Sequence, residues 1–135
     1  MPARRPDLRL GATTAEGIAP TVYALLERGA ERRPKLAREM DGRVDLHFSE
    51  DIAPVRIAFS RGEITVEDGA WDDADFRVTG RLPHIVHLST TPKVGGMPNP
   101  ARSDGRAALA RLTRGEVRLV GDRALGRKLL RLLEL

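Results

Sequence analysis

The sequence predicts an α+β fold, in which a five-stranded, mixed but mostly antiparallel sheet is covered on one face by helices. Three observations predict it. Apolar and polar residues alternate in four successive stretches between Arg43 and Thr79 and again over residues 116–120, which gives each strand one dry and one wet face. Segments with helical spacing precede, interrupt and follow these stretches, so the dry face has helices to cover it. In the last helical segment Leu125, Leu129, Leu132 and Leu133 fall on one stripe, with Leu130 and Leu135 beside it. A stripe that rich in leucine must be buried against something.

Residues 1–12 carry Pro2, Pro6 and Gly11 without apolar periodicity and are expected as a loose tail before a single domain over 13–135. Thr13 and Glu16 have capping-box spacing, but Pro20 removes a helical hydrogen bond, so the first helix starts at Pro20. Ile18, Val22, Leu25 and Leu26 follow one face of it. Pro34 interrupts the helix and opens a shorter one that runs to Met40, ahead of Asp41-Gly42. From Arg43 the period becomes two: Val44, Leu46 and Phe48 point inward, with Asp45 and His47 on the wet side. Val55, Ile57 and Phe59 make the second strand, the Ser60-Arg61-Gly62 turn leads to Ile64 and Val66 in the third, and Ala74, Phe76 and Val78 form the fourth. Leu82, Ile85, Val86 and Leu88 return to helical spacing. Residues 90–103, with three Pro and two Gly, have no period and are expected as a long loop able to act as a lid. Asp104 is placed to cap a helix carrying Ala108, Leu109 and Leu112. Val117 and Leu119 face inward from a fifth strand, and Asp122 caps the last helix.

Composition removes several functions. With no cysteine among 135 residues, disulfides, thiol nucleophiles and thiolate metal sites are excluded. The basic start of the chain is not followed by an apolar run, so neither a signal peptide nor a membrane span is expected, and a cytoplasmic location is the simpler expectation. Arginine supplies 20 of the 23 basic residues, which suggests a GC-rich bacterial genome on codon grounds. Of the net charge of +4, the excess is C-terminal: from Arg102 onward there are nine Lys or Arg against four Asp or Glu. One Trp, one Tyr and three Phe leave few rings for base stacking, so no nucleic-acid partner is expected. A basic face meeting anionic lipid is the alternative.

Three stretches carry a resemblance to a known family. Gly42-Arg43-Val44-Asp45-Leu46-His47-Phe48, Ala74-Asp75-Phe76-Arg77-Val78-Thr79-Gly80, and the strand, Gly-Asp turn and helix from Gly115 to Leu130 occur in the order and spacing of the sterol carrier protein type 2 family. The chain resembles that family over nearly its whole length from Pro20. It departs from it in the Pro-rich segment 90–103, and in ending Leu133-Glu134-Leu135 where some members carry a peroxisomal targeting tripeptide. The resemblance implies an apolar tunnel between the sheet and the helices, able to admit an acyl chain, acyl-CoA, isoprenoid or sterol-like molecule.

The inward-facing residues supply the expected lining. From the strands these are Phe48, Ile57, Phe59, Ile64, Val66, Phe76 and Val78, and from the helices Ile85, Leu88, Leu109, Leu125, Leu129 and Leu133. Arg123, Arg127, Lys128 and Arg131 occupy the rest of the last helix and are expected to face a membrane. The protein is then a carrier or presenter of lipid, or a non-catalytic accessory or scaffold in lipid or lipophilic-quinone biosynthesis with a protein partner or as a homodimer. No cofactor is expected. His84 and His87, with Asp72, Asp73 and Asp75 just before them, are the residues that metal binding or acid–base chemistry would have to use, although the aspartates suit a turn and a wet strand face and the histidines suit solvent. The serines lack a nucleophile elbow and Gly95-Gly96 lacks a following Lys-Ser or Lys-Thr, so neither a hydrolase nor a phosphate loop is indicated. Trp71, alone in a turn, is either a gate at a cavity mouth or packing against the sheet edge.

Overall fold

A computed structural model describes residues 6–13 and 17–134. In chain order the elements are strand β1 (Asp7–Leu10), helices α1 (Ala19–Arg32) and α2 (Pro34–Glu39), and strands β2 (Asp41–Phe48), β3 (Val55–Ser60), β4 (Glu63–Asp68) and β5 (Phe76–Gly80). Then follow helix α3 (Leu82–Thr90), strands β6 (Lys93–Val94) and β7 (Met97–Pro98), helix α4 (Ser103–Thr113), strand β8 (Val117–Gly121) and helix α5 (Arg123–Leu133).

The main sheet has six strands in the order β1-β4-β3-β2-β5-β8. The β2-β3-β4 meander is antiparallel, with β3 and β4 joined through Arg61-Gly62; β5 runs parallel to β2, and β8 antiparallel to β5. The expected count of five is corrected by β1, which pairs parallel to β4 from Asp7↔Glu63 to Leu10↔Val66. Within the segment expected as a tail, Asp7–Leu10 are therefore strand. Its sequence Asp7-Leu8-Arg9-Leu10 alternates, with Leu8 half-buried against the core and Leu10 exposed, but four residues between Pro6 and Gly11 are too short a run to mark a strand without the backbone pairing to β4. Of the capping-box spacing at Thr13 and Glu16, residues 14–16 lie outside the described residues, as does Leu135.

The dry face is where the alternation puts it. Val44, Leu46, Val55, Ile57, Phe59, Ile64, Val66, Phe76 and Val78 are buried, and they pack against Val22, Leu26, Ile85, Leu88, Ala108 and the leucines of α5. Helix α5 is central to this packing: Leu125, Leu129, Leu130, Leu132 and Leu133 are all buried. Its start is fixed by Asp122, whose carboxylate accepts from the backbone N–H groups of Ala124 and Leu125 (3.0 and 3.2 Å). Its end lies so close to α1 that a Cβ on Gly29 would run into the carbonyl oxygen of Leu132. Because that neighbour is backbone, Gly29→Val should force the helices apart and destabilise the protein by about 1–3 kcal/mol. A lowered midpoint of urea unfolding would show it; an unchanged midpoint would mean that α1 and α5 are not held this tightly.

Past α5, Glu134 fastens the chain. Its carboxylate accepts from Arg33 (3.1 Å) and from the backbone N–H of Lys93 (2.6 Å), joining the ends of α1 and α5 to β6. The Lys93 ammonium in turn donates to the carbonyls of Ser89 and Thr91 at the end of α3. Burial brings its pKa down to about 8, with Glu134 opposing and Arg33 adding to the shift.

The segment expected to lack regular structure, 90–103, contains the β6–β7 hairpin. Its two-residue turn is Gly95-Gly96, with φ of +60° and +83°, the backbone that a tight hairpin turn demands and glycine supplies. Asp104 does not cap α4: Arg102 occupies the cap position without a side-chain bond, and Asp104 lies in the first turn.

Candidate ligand-binding cleft

A cleft of about 420 Å³ lies where helix α5 crosses the β5–β8 edge of the sheet. Its volume falls within the range of about 300–1,000 Å³ common for small-molecule sites. Phe76 of β5 with Leu119, Val120 and Gly121 of β8 forms one wall; Arg123, Gly126, Arg127 and Leu130 of α5 form the other; and Met97 of the hairpin closes a side. Gly126 shapes this crossing. A Cβ there would sit 2.5 Å from the Phe76 ring, so only glycine lets the helix approach β5 at this level. The hairpin is seated equally closely, since a Cβ on Gly96 would meet the backbone of Arg127.

The thirteen residues expected to line a tunnel come together, but chiefly as packed core. Ile57, Phe59, Ile64, Val66, Phe76, Val78, Ile85, Leu88, Leu125, Leu129 and Leu133 are buried in one cluster, Phe48 packs half-buried against it, and Leu109 is half-buried on α4. Of the thirteen, Phe76 borders the cleft. Reasoning from inward-facing positions missed Met97, Leu119, Leu130 and Gly126. The Gly95-Gly96 pair could have placed Met97 on a hairpin, but only the crossing of α5 over β8 decides which inward residues meet open space. Of the basic residues of α5, Arg123, Arg127 and Arg131 are exposed, and Lys128 is half-buried. Among the described residues no helix is long and apolar enough to cross a membrane.

The wet face of the sheet holds a second polar assembly. Asp45, expected on the solvent side, is fully buried because the β4–β5 loop folds over it. Its carboxylate accepts two bonds from the guanidinium of Arg77 (2.7 and 3.0 Å), its neighbour across the parallel β2–β5 pair, and a third from the backbone N–H of Trp71 (3.1 Å). His47 Nε2 lies 3.5 Å away. Burial by itself would raise the Asp45 pKa; the Arg77 hydrogen bond, the Trp71 N–H and the charges of Arg77 and His47 outweigh it and hold the carboxyl below its ordinary value. The guanidinium groups of Arg43 and Arg56 both lie over the Trp71 ring, 5.6 and 5.5 Å from its centre, and Trp71 is not among the residues bordering the cleft.

The histidines and aspartates do not converge. Arg111 donates to His87 Nδ1 (2.7 Å), Asp73 pairs with Arg43 (3.3 Å), and Asp75 accepts from the Arg43 N–H (2.7 Å). Among the described residues no group of three or more His, Asp or Glu is placed to hold a metal ion.

No protein-family model and no curated protein matches the sequence. Solved structures do match. The chain is similar to the UbiJ-SCP2 ubiquinone synthesis protein (TM-score 0.57, 17% identity, covering 86% of this chain and 84% of that one). It is also similar to the apo form of sterol carrier protein 2 from Yarrowia lipolytica (TM-score 0.56, 12% identity, 89% and 92% covered) and to palmitated SCP2L2 from Aedes aegypti (TM-score 0.54, 16% identity, 87% and 94% covered). At such identities the likeness is one of fold. The chain has the sterol carrier protein 2 fold, with a mixed six-stranded sheet as its main sheet.

Proposed function

We propose that this protein binds a lipid-like apolar ligand, an acyl chain, isoprenoid or sterol-like molecule, between its sheet and helices, and acts as a carrier or presenter without catalytic chemistry of its own. The observation that carries the reading is the cleft under α5. Phe76, Met97, Leu119 and Leu130 offer apolar surface there, contiguous with the buried core. Each methylene placed there would contribute about 0.8 kcal/mol, so a hydrocarbon chain needs few directional contacts to bind. The likeness in fold to palmitated SCP2L2 supports the same reading.

Leu119→Trp puts an indole into the cleft from a half-buried position on the edge strand, and should weaken binding of a fluorescent acyl probe by about tenfold or more with little loss of stability. Native mass spectrometry and organic extraction of the purified protein provide the direct test. If neither finds a lipid, and acyl and isoprenoid probes do not bind, the reading is wrong.

The likeness to the ubiquinone synthesis protein favours a second reading, an accessory protein that presents or scaffolds in lipophilic-quinone biosynthesis. Capture of biosynthetic enzymes by the tagged protein, without any bound lipid, would favour it over the carrier.

A further inference from the structure

The cleft has an apolar interior and a basic mouth, and that pairing bears on the head of the ligand as well as its tail. Arg123 and Arg127 both border it, four residues apart and so on one side of α5. Both are exposed, and among the described residues neither forms an ion pair, whereas Arg33, Arg43, Arg56 and Arg77 are each joined to a carboxylate. Two carboxylates at the start of α5 are already engaged with backbone: Asp122 accepts from the first turn of the helix, and Asp75, whose carbonyl accepts from the Asp122 N–H (2.7 Å), takes the N–H of Arg43 on its side chain. The Asp122 cap also occupies two N–H groups that the helix start would otherwise offer an anion. What remains at the mouth is two free guanidinium groups above apolar walls.

We infer that Arg123 and Arg127 form a head-group site, and that the ligand is an anionic amphiphile whose carboxylate or phosphate sits between them while its hydrocarbon enters the cleft. This rests on the lipid-binding reading above and narrows it. Guanidinium groups pair with both oxyanions in a planar, two-bond geometry, and such charge-assisted bonds are stronger than those to a hydroxyl. A neutral alcohol or sterol gains the same burial of hydrocarbon and none of this. The two arginines set preference among lipids; the apolar walls set affinity for lipids in general.

Titration calorimetry of the full chain with dodecanoate, dodecyl phosphate and dodecanol tests this. Both acids are expected to bind about tenfold tighter than the alcohol. In R123Q/R127Q the advantage of both acids over the alcohol should disappear. A preference for one acid identifies the head group as carboxylate or phosphate. If all three bind the native protein equally, or the acids keep their advantage in the double variant, the head-group site is refuted and the apolar cleft stands. If none of the three binds but an isoprenoid probe does, the head-group site is refuted alone; if that probe and lipid extraction fail as well, the lipid-binding reading fails with it.

Discussion

Asp45→Ala should destabilise the protein by about 3 kcal/mol. Its carboxylate is fully buried and satisfies three hydrogen bonds, so removing it leaves the Arg77 guanidinium and the Trp71 N–H without their acceptor. Breaking a buried pair from one side costs about 3–5 kcal/mol. The lower end applies because the Arg77 side chain is 37% exposed, and water screens part of the loss. Loss of order in the β4–β5 loop should accompany the fall in stability, because Arg77 also donates to the carbonyl of Trp71 (2.6 Å). The effect depends on pH in a defined direction. Asp45 titrates lower folded than unfolded, so its contribution is complete above the ordinary value of 3.8 and is lost as pH falls through the depressed folded value. The gap between native protein and Asp45→Asn in urea unfolding should therefore be constant at neutral and mildly acidic pH, and close below about 4. A gap that widens with acid would contradict the assignment.

Leu132→Ala should cost about 2–5 kcal/mol, the range for deleting a buried leucine whose surroundings cannot close. Leu132 has no exposed surface, and the backbone contact at Gly29 fixes α1 and α5 against inward collapse. The residue does not border the cleft, so the folded fraction should keep its affinity for lipid. A cost below about 1 kcal/mol in urea unfolding would mean that α5 repacks freely, as a detachable lid would. The distinction bears on mechanism. With α5 firmly seated, the ligand proposed above would have to enter by the open side of the cleft rather than by displacement of the helix.

Much of the fold was legible because burial and period are local properties of sequence. Val44, Leu46, Ile57, Phe59, Phe76 and Val78 alternate with polar neighbours, Pro20 and Pro34 fix where helices begin, and Asp122 caps α5 by a bond to residues two and three positions away. Apart from the β6–β7 hairpin, which is local, the features that escaped are held by contacts distant in sequence. Strand β1 exists through its pairing with β4, more than fifty residues on, and the alternation of Asp7-Leu8-Arg9-Leu10 is too short to announce it alone. Asp45 reads as a wet-face residue on period alone; a loop arriving from residues 69–75 buries it.

The candidate site divides along the same line. From sequence alone come the apolar stripe of α5 and its basic remainder, because a helix of fixed pitch sorts residues onto faces whatever surrounds it. That sorting establishes burial and charge but not vacancy. Tertiary structure alone decided that most of the stripe is filled core, and that open space occurs at the β8 edge beside Phe76 and beneath Arg123 and Arg127. Close packing leaves few gaps, and where one remains depends on how whole elements cross, here α5 over β8 with β5 and the hairpin beside them. Gly126, which sets how near α5 comes to β5, has its meaning only once the two are side by side.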